Sequence, residues 1–121
     1  MDQIRNNRHY DLEERPFQFA KNIGLFVIKL PKDIANLEYR KQVVDSSGSV
    51  GANYIEANEA LSKKDFVMRI KICRKEAKES AYWLRLIVET NDRKYTSGGN
   101  ELLNEAMELK KIFSSILLKS H

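Results

Sequence analysis

Val43, Ser47, Val50, Tyr54, Ala57 and Leu61 alternate four- and three-residue steps straight through SSGSVGANYIEA, residues 46–57. Glycine and serine at that density ordinarily mark a loop, and a loop would lose the register. The phase survives, so the segment reads as continuous helix from about Ile34 to Leu61, with Asp33 as its cap. Gly48 and Gly51 should each cost that helix roughly 1 kcal/mol relative to alanine. Close approach of a neighbouring helix would offset the cost; a kink is the alternative. A phosphate-binding turn does not fit: GSVGAN lacks the closing Gly-Lys-Ser/Thr, and no strand precedes it.

The same periodicity organises the rest of the chain. Before Pro31, Phe19, Ile23, Phe26 and Leu30 make one stripe, and Phe17, Ala20, Gly24 and Val27 make a second. Together they cover more of a helix than one small core needs, which suggests a second buried contact, between subunits. This first helix is expected to start near Asp11 or Glu14, with Pro16 in its first turn. Residues 1–10 are polar and aperiodic and read as a disordered arm ahead of one domain over 11–121. The third helix is the clearest. Ser62 with Asp65 resembles a capping box, and Phe66, Ile70, Cys73, Ala77, Ser80/Ala81, Leu84 and Ile87/Val88 follow in phase. NDRKYTSGGN reads as a connector, and Leu102, Ala106, Leu109, Phe113 and Ile116 mark a fourth helix from about Asn100. No run alternates like a strand. The expected fold is all-α, an antiparallel up-down-up-down four-helix bundle.

Charge is more informative in its distribution than in its total of +4. Residues 62–90 hold eight Lys/Arg and four acids, while the rest of the chain carries thirteen of each sign. Lys64, Lys71, Arg74, Lys75, Lys78 and Arg85 fall within an arc of about 100° beside the apolar stripe. Such a stripe suits a phosphate backbone; a merely solvated face is the alternative. Of the aromatics only Tyr82 joins the arc, so base stacking is not indicated. Ile72, Trp83 and Leu86, with Glu79 among them, form a second apolar patch that an ordinary bundle would leave wet. Asn53 and Glu56 share a face beside the small residues, either as a polar edge or as a buried, hydrogen-bonded pair.

Catalytic chemistry finds little support. His9 and His121 sit near the termini, and no Glu-x-x-His motif offers a bundle metal site. The lone Cys73 falls on a core position and reads as a buried thiol. No catalytic centre, metal or cofactor is expected. No apolar run approaches the ~18 residues of a membrane span, and the start lacks the apolar core of a signal peptide. The cytoplasm is the expected compartment.

SSGSVGANYIEA, ALSKKDF and KICRKEAKESAYWLRLI together resemble the bacterial four helix bundle protein family. That family includes proteins encoded within intervening sequences of large-subunit (23S) ribosomal RNA genes. The accessory variability protein of diversity-generating retroelements is a similar relative. The family run of small residues, then Asn, two residues, Glu and a small residue, is matched by Ser46, Ser47, Ser49, Asn53, Glu56 and Ala57. Many members carry Gly where this chain has Ala57, a departure that argues against a strict need for glycine there. On the third helix Ser62, Lys63, Asp65, Phe66, Lys75, Glu76, Ala77, Glu79, Trp83 and Leu84 match, and the likeness spans roughly residues 15–118. The resemblance implies a homopentamer with a basic surface. It also implies RNA or DNA binding in the retroelement relatives, which engage a reverse transcriptase; such a partner would apply only to a retroelement-linked chain. The resulting expectation is a non-catalytic, oligomeric nucleic-acid-binding protein, RNA ahead of DNA. The alternative is a protein-interaction scaffold without direct nucleic-acid binding.

Overall fold

The computed structural model describes the backbone of residues 2–120 and the side chains of residues 12–120. Four helices, α1 (Asp2–Val27), α2 (Ile34–Asn58), α3 (Lys63–Thr90) and α4 (Thr96–Lys119), carry almost all of it; a 3₁₀ turn, Arg93–Tyr95, leads into α4. Each helix packs on the next, and α4 closes back on α1. Successive helices run antiparallel: Asn36 of α2 meets Asn91 at the end of α3, Ser46 meets Ser80, and Asn53 meets Arg69. Among the described residues all regular structure is helical. The core lies on the axis, with Phe19, Ile23, Val43, Val50, Ile70, Leu84, Ile87, Leu109 and Phe113 all fully buried. Every one of these positions belongs to a stripe that the sequence spacing marks.

The element ends follow local chemistry. Asp33 caps α2 by accepting the Asn36 amide at 2.8 Å, and Ser62 caps α3 by accepting the Asp65 amide at 3.0 Å. Each bond satisfies one of the amides that a helix start leaves without a partner. Three expectations need correction. The in-phase residue Leu61 lies outside α2, which ends at Asn58, and it is 99% exposed. The fourth helix begins at Thr96, so Gly98 and Gly99 are helical rather than part of a connector. The reason is steric. A Cβ on Gly99 would stand 2.4 Å from Val88 Cγ2, so only glycine lets α4 start this close to α3. Lastly, α1 starts well before Asp11, which places Pro16 inside the helix instead of in its first turn. The expected arm over 1–10 overlaps the start of α1, and the side chains of its residues, like those of His9 and His121, lie outside those described.

The glycine-serine segment is continuous helix, as its phase predicts. Its small side chains serve two different neighbours. Ser46 and Ser80 share a hydroxyl–hydroxyl hydrogen bond of 2.8 Å across the buried α2–α3 seam. Ser46 also reaches the Val43 carbonyl, Ser47 the Val44 carbonyl, and Ser80 the Glu76 carbonyl, so the seam's hydroxyls are satisfied. Gly51 faces α1 instead: a Cβ there would touch Pro16 Cβ at 3.4 Å, and Pro16 is fully buried. Gly48 departs from the close-packing expectation within the protomer. A Cβ at Gly48 meets nothing within 4 Å, and the same holds for Gly24.

Candidate nucleic-acid interface

α3 turns Ile70, Cys73, Ala77, Ser80, Ala81, Leu84 and Ile87 inward and its cations outward. Lys64, Lys71, Lys75, Lys78 and Arg85 are exposed and Arg74 is half-buried. At ~1.5 Å rise per residue, Lys64 to Arg85 spans about 30 Å of helix. Among the described residues no ion pair involves Lys64, Lys71, Arg74, Lys75 or Lys78. Arg85 differs: its guanidinium donates to Glu89 at 2.8 Å, and that bond raises its pKa. The six predicted cations therefore share one side of α3; five of them make no ion pair among the described residues, although Lys75 acts electrostatically on Glu76.

Spacing alone left out one feature of this face. Lys63, exposed at the start of α3, joins Lys64 and Lys71 around a shallow groove lined by Val67 and Met68 and by Ser120, the residue that follows α4. Helical spacing places Lys63 about 20° outside the arc, beside Arg74; the proximity of the end of α4 reveals the groove. Tyr82, which spacing placed in the arc, is 58% exposed and stands perpendicular to Trp83, with centroids 5.1 Å apart at 80°.

The motif residues do structural work around this face. Ser46 and Ser47 are buried; the carbonyl of half-buried Ser49 accepts the Asn53 side chain at 2.9 Å. Asn53 in turn accepts Arg69 Nη1 at 3.0 Å, tying α2 to α3, while Arg69 Nε stands 4.0 Å from Asp65. Asn53 and Glu56 do not form a pair: Glu56 is exposed, and Asn53 is committed to Ser49 and Arg69. The apolar patch expected from Ile72, Trp83 and Leu86 is likewise not left wet, since all three are half-buried. Trp83 packs toward Tyr39 of α2 with ring centroids 6.2 Å apart, and its Nε1 donates to Glu79 at 3.3 Å. Burial, with Glu79 adding to it, raises the Glu76 carboxyl pKa.

Unpartnered apolar surface instead lies on α1 and α2. Phe17, Ile28, Leu37, Val44 and Ile55 are all exposed. Gly24, Val27, Ile28, Leu37, Arg40 and Val44 line a groove between the two helices, where Arg40 Nη1 is buried without a hydrogen-bond partner. The excess apolar stripe on the first helix was the sequence signal for this surface.

The model of the 23S rRNA-intervening sequence protein family matches residues 8–115. The chain belongs to that family. A crystal structure from Bacteroides thetaiotaomicron, of a protein with unknown function from the S23 ribosomal protein family, is 31% identical with a TM-score of 0.75. The match covers 88% of this chain and 97% of that one. No curated protein matches. In this 23S rRNA-intervening sequence family member, Ser46, Asn53 and Trp83 serve the α2–α3 seam, beside the cations rather than among them.

Proposed function

We propose that this protein is a non-catalytic, homo-oligomeric nucleic-acid-binding bundle acting in the cytoplasm, with α3 as its phosphate-facing surface. The observation that carries the reading is the α3 stripe. Lys64, Lys71, Lys75 and Lys78 stand exposed on one side, with no ion pair among the described residues. A solvated helix face usually mixes its charges at i,i+4 spacing, as Arg85 and Glu89 do. Concentrated lysine is costly to self-repulsion and useful to a polyanion. RNA is placed ahead of DNA because the family takes its description from a ribosomal RNA insertion. The apolar α1–α2 face, with its buried unpartnered Arg40 Nη1, supports assembly through that side, and a ring of five is the assembly proposed. Such a ring would leave α3 free to face outward.

Fluorescence anisotropy across a salt series tests the binding. Alanine at Lys71, Lys75 or Lys78 should weaken RNA binding, and each lost phosphate contact should lower the slope of log K against log salt by about one unit. Unchanged affinity and slope in all three variants would sink the assignment. A scaffold reading is favoured by the exposed apolar face, and it predicts that those lysine variants leave a nuclease-resistant protein complex intact.

A further inference from the structure

We infer that Tyr82 is a base-stacking platform within the cationic stripe, and that the nucleic acid held there is unpaired. The inference rests on the nucleic-acid reading above and specifies which form of polymer α3 takes. Tyr82 is 58% exposed. On the helix surface its near neighbours at i−4 and i+3 are Lys78 and Arg85, the latter paired with Glu89, with Lys75 one turn further back, all exposed; Glu79 at i−3 is half-buried and bonded to Trp83. The ring is braced. Trp83 stands perpendicular to it, with ring centroids 5.1 Å apart at 80°, and Trp83 is itself fixed by Tyr39 at 6.2 Å and by its bond to Glu79 at 3.3 Å. A perpendicular pairing orients both rings and takes up at most one face of Tyr82, so at least one face stays clear of Trp83. Among the described residues the Tyr82 hydroxyl makes no hydrogen bond, so no polar tether explains its placement. A ring held in position among backbone-neutralising cations is the arrangement by which single strands are bound: charge tracks the phosphates, and π faces take the bases. A continuous duplex keeps its base faces stacked inside and offers this ring nothing. The sequence alone argued against stacking because one aromatic in an arc is a weak signal; the bracing by Trp83 and Tyr39 appears only once α2 and α3 are packed.

The test is anisotropy with three probes of equal length: single-stranded pyrimidine RNA, the matching RNA duplex, and single-stranded pyrimidine DNA. Tyr82→Ala should lose roughly 5- to 100-fold in single-strand affinity, with duplex affinity and the salt slope unchanged. Tyr82→Trp and Tyr82→Phe should bind as the wild type does. Tyr82→Leu keeps apolar bulk without a π face and should fail like alanine, which separates stacking from any loss of helix stability. Comparing the RNA and DNA single strands tells which sugar the site prefers. If Tyr82→Ala binds the single strand normally while a Lys71/Lys75/Lys78 triple alanine variant does not, stacking is wrong and the phosphate reading stands. If the wild type binds none of the three at low salt, the phosphate reading falls and takes this inference with it.

Discussion

Cys73 illustrates how a single side chain reports on the packing around it. Its Sγ–H donates to the Val50 carbonyl at 3.4 Å, and the residue is fully buried in the α2–α3 seam. Burial pushes the thiol pKa up to about 12 from 9.0. A pKa raised by folding leaves stability intact below the unfolded value and removes it as pH climbs toward the folded one. The protein should therefore lose stability between about pH 9 and 12, and Cys73→Ala should lose less over that window in urea titrations. The native thiol should also react with an aromatic disulfide reagent at least ~100-fold more slowly than free cysteine, becoming reactive on unfolding. Two glycines make opposite predictions on the same physical grounds. Gly99→Ala puts a Cβ 2.4 Å from Val88 and should cost about 1–3 kcal/mol. Gly48→Ala meets nothing within 4 Å and should stabilise the protomer by up to about 1 kcal/mol, read from the denaturation midpoint.

Helices are where sequence and structure agree best, and where their differences are most instructive. α3 was legible almost to the residue because Ser62 supplies a cap and its apolar positions hold one register from Phe66 to Ile87. Register alone does not end a helix, however. Leu61 keeps the phase of α2, yet α2 stops at Asn58, since no periodicity records whether a neighbour exists to bury the next side chain. The start of α4 was hidden for the converse reason: Thr96–Gly99 looks like a loop until Val88 and Phe26 are seen to require glycine beside them. The candidate site divides the same way. The lysine stripe follows from helical geometry, whereas the Tyr39–Trp83–Tyr82 bracing needs α2 in place. The Asn36–Asn91 amide pair, bonded both ways at 2.9 Å, gave no sequence signal because its partners are far apart in the chain. At this scale α1 is held to α4 by the two-pronged ion pair of Arg15 with Glu105, at 2.7 and 2.8 Å. Both side chains are partly exposed, so Glu105→Ala should cost no more than about 1 kcal/mol, with the loss shrinking at high salt.

For the whole molecule, the question is what covers α1 and α2. An isolated protomer leaves Phe17, Ile28, Leu37, Val44 and Ile55 in water, and two helical glycines there, Gly24 and Gly48, meet nothing within 4 Å. Glycine in a helix interior is destabilising unless something approaches closely. In the protomer that rationale holds for Gly51 and Gly99 but not for Gly24 or Gly48. A neighbouring copy seated on this face would supply it, and would also give Arg40 Nη1 the acceptor it lacks. Val44→Glu and Gly48→Leu should therefore keep the helical circular dichroism of the wild type while reducing the mass by light scattering to the 14.1 kDa protomer. The same variants should weaken RNA binding only through lost multivalency, so their salt slope per protomer stays that of the wild type. Variants that remain assembled would place the subunit contact elsewhere and leave the α1–α2 face for a different protein. Variants that dissociate yet keep the per-protomer slope would separate the assembling side of the bundle from its phosphate-facing side.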